Sequence, residues 1–170
     1  MQENIIQTPC VLWPLAITFV APFFVYFLRK NINRRESVSF VAAIFAFLSV
    51  LSFVPGVLEG KVYIFHLFTI LPGITVSFTM DGLALIFGLI APFLWILVTS
   101  YNVGYMRVLS EHAQTRYYTC FAVAIFVAVG VATAANVFTL YLFYEIISIF
   151  TYPLVAHHQG VSPILHHADH

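Results

Sequence analysis

The 170-residue chain is 61% apolar and 17% aromatic, with only 8% charged residues and no formal net charge. A soluble domain carries about 25% charged residues, so seven Lys/Arg and seven Asp/Glu cannot coat a water-facing surface, and a soluble globular enzyme is excluded. Zero net charge with no basic face excludes nucleic-acid binding, and 18 Phe with 9 Tyr exclude disorder.

The apolar residues come in runs of membrane length. The first, at about 10–28, is uncharged. Gln2, Glu3, Asn4 and Gln7 precede it, and the basic cluster Arg29, Lys30, Arg34 and Arg35 follows it. A cleaved secretory leader has the opposite order, so this run reads as a retained span with its N-terminus outside. The second span covers about 38–55.

Residues 62–80 are apolar but do not read as a span. Pro72-Gly73 interrupts them. Beyond the break, Ile74, Val76, Phe78 and Met80 alternate with Thr75, Ser77 and Thr79, a period of two. Val62–Phe68 is rich in strand formers. An open sheet edge finds no hydrogen-bond partners in lipid. The segment therefore reads as an extracytoplasmic β-hairpin outside the hydrocarbon, with a re-entrant segment as the competing reading.

The third span covers about 82–106. The uncharged stretch from Tyr117 to Tyr144 is too long for one span. Ala134-Ala135-Asn136 lowers its hydrophobicity, which divides it into helices at about 117–134 and 137–156. The expected fold is an all-α membrane protein of about five transmembrane helices, with a β-hairpin between helices 2 and 3. Residues 1–159 form the membrane domain and 160–170 a His-rich cytoplasmic tail. In the fourth helix, Ala124, Ala128 and Ala132 recur every four residues, with Gly130 and Ala134 at the same interval, the pattern of a close-packing face. Pro14, Pro22 and Pro92 are tolerated in apolar spans.

With five spans, Arg29, Lys30, Arg34, Arg35, Arg107 and Arg116 lie on one side and Lys61 on the other. Cationic loops stay cytoplasmic, so loops 1 and 3 and the C-terminus are expected inside.

The fifth helix holds the acid Glu145, read as the one charged side chain well inside a span. An ionised carboxylate at the bilayer centre costs about 2.5–3.5 kcal/mol on insertion scales, so it must be protonated, paired or hydrated. Tyr141, Tyr144, Glu145, Ser148, Thr151 and Tyr152 fall at helical intervals and make one polar stripe. Phe143, Ile146, Ile147, Phe150 and Leu154 cover the rest. The stripe is either a structural hydrogen-bonding seam between helices or a proton or cation relay, and an intramembrane acid favours the relay.

No cofactor or metal is expected. Cys10 and Cys120 make no zinc or redox spacing. His166, His167 and His170 could place two imidazoles at i, i+4, but a solvated tail is the simpler reading. His157 and His158 end helix five, His66 belongs to the hairpin and His112 to a loop, and no facing mid-membrane histidines suggest haem.

The run Leu142–Val155 resembles the fifth-helix signature of antiporter-like membrane subunits, found in respiratory complex I and the multisubunit cation/proton antiporters. Tyr144, Glu145, Ser148 and Tyr152 match that pattern. Phe78–Leu83 resembles the family's Asp-Gly start of its third helix, at Asp81-Gly82. Ser100–Arg107 with His112–Tyr117 is similar to the D-type branch of the cation/proton antiporters. Residues 1 to about 159 fit as a block. The resemblance implies that Glu145 is the acid of the membrane proton path, paired with a lysine two helices further on, and that Tyr141, Ser148 and Tyr152 hydrate and orient it. Family members are roughly three times longer, with about fourteen helices in inverted repeats. The chain thus reads as a split, truncated or partial subunit of a proton- or sodium-translocating complex in an energy-coupling membrane, as in a bacterial or archaeal plasma membrane. Its partners would be the lipid bilayer and other membrane subunits, one of them supplying the missing helices. If it serves an enzyme, it does so as a non-redox subunit of an NADH:quinone oxidoreductase-like translocase. A structural subunit without an ion path is the alternative.

Single cysteines at Asn31, in the first loop (29–37), and at Gly60 test the orientation in intact cells. An impermeant thiol reagent is expected to label position 60 and spare position 31; the reverse pattern inverts the topology.

Overall fold

In a computed structural model that describes residues 4–28, 31–109 and 114–156, the chain is mostly helical. In order it forms β1 (Asn4–Gln7), a 3-10 turn (Pro9–Val11), α1 (Leu12–Phe27), α2 (Ile32–Leu51), the short α3 (Val54–Leu58), β2 (Lys61–Leu71), β3 (Ile74–Met80), α4 (Gly82–Leu109), α5 (Gln114–Ala132) and α6 (Val137–Ala156). Among the described residues, three helical stretches, Pro9–Phe27, Asn33–Leu58 and Gly82–Asn102, are long and apolar enough to cross a bilayer. The apolar parts of α5 and α6 among the described residues, Tyr118–Ala132 and Val137–Phe150, are shorter.

α1 packs on α2 and α5, α2 on α4, α4 on α5, and α5 on α6. The bundle perimeter is apolar: Phe23, Phe27, Leu83, Phe87, Phe93 and Leu97 are exposed. Apolar area of that extent belongs in lipid or against other spans. Asp81 starts α4 as its N-cap, its carboxylate accepting from the Ala84 N–H at 2.8 Å. The Asp-Gly motif thus has a local physical reason, because it satisfies a backbone donor at a helix start.

The sheet gathers at one end of the bundle. β2 and β3 pair antiparallel, with register shifts between His66 and Phe68 and between Thr69 and Leu71. Gly73 turns the chain at φ 90°, a conformation open to glycine, directly after Pro72. Val76, Phe78 and Met80 are buried with Val11, Val50, Phe53 and Phe143 in the core beneath the sheet. Two features depart from the expected lone hairpin on an all-α bundle. β1 adds a third strand, parallel to β2, pairing Asn4 with Lys61 through Gln7 with Ile64. Its four residues are all exposed, so they carry no alternation, and only the partner strand makes them β.

The second departure concerns the α5–α6 break. Its residues cap the free edge of β3. Thr79 N–H donates to Thr133 O at 2.7 Å and Ala135 N–H to Ser77 O at 2.9 Å. Asn136 Nδ2 donates to Thr75 O at 2.6 Å and to Ser77 Oγ at 3.2 Å. The polar dip at Ala134–Asn136 is therefore a sheet-capping element, which removes the unpaired edge that lipid could not satisfy.

The small-residue pattern of α5 makes its close approach at Gly130 rather than along the alanine face. Ala128 is exposed, so the Ala124/Ala128/Ala132 face is not the intrachain seam. Gly130 is the close-approach point, where a Cβ would overlap the Phe143 ring of α6. Gly130→Ala is expected to destabilise the chain by about 1–3 kcal/mol, the usual cost of overpacking. Unfolding in detergent reads this as a lower Tm, partly recovered by adding Phe143→Leu, whereas Ala128→Leu leaves Tm near its starting value.

Candidate functional site in the sixth helix

Local chemistry sets how α6 stands in the bundle. Asn136 caps it, with Oδ1 accepting from the Thr139 N–H at 2.8 Å. Thr139 is fully buried and its Oγ1 accepts from the Ser77 N–H at 3.1 Å. One turn on, buried Phe143 packs edge-to-face on Phe78 and Phe126, with centroids at 6.0 and 5.4 Å. With Thr139 and Phe143 inward, the 3.6-residue period turns the polar stripe outward.

Tyr141 is 53% exposed, Tyr144 59%, and Ser148 is exposed. Glu145 is half-buried, between the outward tyrosines and the inward Phe143 and Ile146. Tyr141, one turn back at i−4, shares the Glu145 face of the helix, close enough for its hydroxyl to feel the carboxylate charge. Ser148 Oγ donates to the Tyr144 carbonyl at 3.1 Å, so its proton is used within the helix. Thr151 and Tyr152 lie on α6, but their side chains fall outside the described residues. The structure thus brings Tyr141 and Glu145 together and aligns Tyr144 and Ser148 beside them. Glu145 lies about 12 Å along the helix from its first residue, at 1.5 Å per residue, near the middle of α6.

A second polar cluster escapes the sequence reading, which places Arg35 in a loop and gives Glu36 no role. α2 begins at Ile32, and Arg35 and Glu36 are 2% and 3% exposed. Glu145 is therefore not alone as a charge within a helical span. The Arg35 guanidinium lies 4.9 Å from the centroid of the buried Tyr118 ring on α5. One turn further, Trp95 Nε1 donates to Ser39 Oγ at 3.1 Å, and the Ser39 and Thr99 hydroxyls are 3.5 Å apart. Asn102, one turn beyond Thr99 on α4, is also buried. The available signal is the i, i+4 spacing of Arg35 and Ser39, which a span beginning at 38 hides.

At the sheet end, Lys61 and Glu59 form an exposed ion pair at 2.5 Å. Hydrogen bonding and charge attraction hold the Glu59 carboxyl below its ordinary range and the Lys61 ammonium above its own. The pair offsets the one lysine at that end, while Arg34 and Arg35 start α2 at the opposite end. Among the described residues no group of three or more His, Cys, Asp or Glu could hold a metal ion. His66 is exposed on β2. His112, His157, His158 and the tail histidines His166, His167 and His170 lie outside the described residues, as do Arg29 and Lys30.

No family model matches the chain. Over 131 residues, 75% of its length, it is 29% identical to the "Putative antiporter subunit mnhA2" of Staphylococcus haemolyticus, of which it covers 16%. Over 122 residues, 71% of its length, it is 27% identical to the protein of the same name from Staphylococcus saprophyticus, of which it covers 15%. The chain thus spans about a sixth of the length of these curated relatives. The similarity supports an antiporter-type membrane subunit. Both relatives are named mnhA2, so the similarity does not single out the D-type branch that residues 100–107 and 112–117 resemble.

The buried charges give a stability test. Arg35→Leu removes a buried guanidinium that lies over the Tyr118 ring and interacts with the Glu36 charge, and is expected to destabilise the chain by about 3–5 kcal/mol, the cost of removing one member of a buried charge interaction. Arg34→Gln, on the exposed neighbour, is expected to stay within about 0.5 kcal/mol. Tm measurements in one detergent compare the two.

Proposed function

We propose that the chain is an ion-translocating element of a multisubunit cation/proton antiporter-type complex, with Glu145 as its proton-relay acid. Tyr141, Tyr144, Ser148, Thr151 and Tyr152 line the path beside it, and the transported ion is a proton or sodium. The observation that carries the reading is the position of Glu145, half-buried near the middle of α6, one turn from Tyr141 and on a polar face that this bundle leaves open. Similarity to the staphylococcal proteins supports the antiporter-type part of the reading. The proposal requires only an antiporter-type protein, whichever branch it stands in; the link to NADH:quinone oxidoreductases rests on the helix motif alone.

The physics of such a relay is direct. A carboxyl in a low-dielectric span holds its proton until an opposite charge comes near, and then releases it. Tyr141 can donate to the ionised form, while its own hydroxyl oxygen accepts from the protonated one. An exposed polar stripe is costly in lipid, so a neighbouring protein is expected to cover α6 and bring a basic or hydrogen-bonding group near Glu145. In the membrane the N-terminus lies outside and the C-terminus in the cytoplasm.

A purely structural role is the second reading. The Ser148–Tyr144 bond and the Asn136 cap are polar contacts that serve the structure of the helix itself. Glu145→Gln separates the two, because it keeps shape and hydrogen bonding and removes the proton. The complex carrying it is expected to assemble normally, by native gel and subunit mass, with proton or sodium flux in proteoliposomes reduced at least tenfold, the low end of what a proton-transferring group contributes being roughly 100-fold. Normal assembly with normal flux leaves the structural role.

A further inference from the structure

We propose that the groove between α1 and α2 is a binding site for one anionic phospholipid, its phosphate at Arg34 and an acyl chain lying along the helices. The site is separate from α6 and independent of the ion-path reading. The groove has a volume of about 690 Å³ and opens to the perimeter of the bundle. Its floor is small, with Ala21 buried and Ala42 half-buried, and its rims are the exposed Trp13, Phe24 and Phe45. A thin chain fits between bulky rims over a small floor. A helix about 10 Å across does not, because close helix contacts in lipid need small residues along the approach itself.

Length and charge identify the occupant. From Phe24 to Trp13 the groove runs roughly 16 Å at 1.5 Å per residue, the depth of one leaflet of a hydrocarbon core about 30 Å thick. On α2 the lining residues Ser37, Val38, Val41, Ala42 and Phe45 continue one stripe, and Arg34 lies one turn before Ser37 on that stripe, exposed. Among the described residues no acid lines the groove. In sequence the α1–α2 connection and the start of α2 hold Arg29, Lys30, Arg34 and Arg35, the kind of basic cluster that attracts anionic headgroups at a membrane surface. Arg35 is buried against Tyr118, which leaves Arg34 as the described arginine free to meet a headgroup.

Trp13 makes the site readable. It lies at the far end of the groove and is 63% exposed, whereas the other tryptophan, Trp95, is fully buried. The full chain is reconstituted in phosphatidylcholine vesicles. These contain an equal fraction of either phosphatidylglycerol or phosphatidylcholine brominated near the end of an acyl chain, and bromine quenches tryptophan on contact. The expected result is a preference of roughly fivefold for the brominated phosphatidylglycerol at Trp13, the size of one arginine contact with an anionic lipid. Arg34→Gln is expected to bring the preference to about one without lowering quenching by phosphatidylcholine, and Ala42→Phe, which fills the floor, to lower quenching by both lipids. Three results overturn the proposal: equal quenching by both lipids in the unmodified chain, a preference that survives Arg34→Gln, or a Trp13 shielded from both, which would make the occupant protein. The Arg34→Gln comparison decides by itself if Ala42→Phe fails to fold.

Discussion

The Asn136 side chain joins the two halves of this architecture. Its amide nitrogen donates to Thr75 O and Ser77 Oγ of β3, and its oxygen accepts from the Thr139 N–H that opens α6. One residue thus closes a sheet edge and starts a helix. An unpaired strand edge and an uncapped helix end are each costly where water is scarce, and here each supplies the partner the other lacks. Thr139 beneath Ser77 and Phe143 against Gly130 then follow in register. The rotation that turns Tyr141 and Tyr144 outward and leaves Glu145 at their border is a consequence of those contacts, which begin about two and a half turns before the acid at Asn136.

A bundle of this kind sorts its polar groups by the solvent each will meet. The perimeter presents phenylalanine and leucine, suited to lipid. Arg35, Glu36, Ser39, Thr99 and Asn102 are drawn inside, between α2, α4 and α5. Burial of a charge is tolerated only with partners, and the Tyr118 ring under the guanidinium is one of them. The α6 stripe follows neither rule within this chain, being polar yet on the outside. A chain matching about a sixth of its curated relatives has ample sequence in those relatives to cover such a face, and that is why the open stripe supports the reading of a subunit element.

Much was legible in the sequence because the relevant signals are local. Runs of apolar residues with only 8% charge specify a membrane protein, since no other solvent accepts such a surface. The period of two in Ile74–Met80 specifies a strand, and Pro72-Gly73 its turn, because both depend on residues within a few positions of each other. The same holds for Asp81 at the start of α4 and for Glu145 as an acid within an apolar helix, which the helix motif around it also marks.

Only tertiary structure decided the rest. β1 has no alternation and becomes a strand through Lys61–Ile64, more than fifty residues away. The dip at Ala134–Asn136 shows in sequence merely as weaker hydrophobicity; its role as the cap of β3 depends on a strand that ends at Met80. Arg35 and Glu36 sit beside a basic loop, and nothing within the loop indicates that Tyr118 and α4 enclose them. Among the small residues of α5, the facing Phe143 alone selects Gly130 as the seat. In each case the deciding term is the burial or pairing of a group by residues distant in the chain, and such terms have no periodicity for a sequence to display.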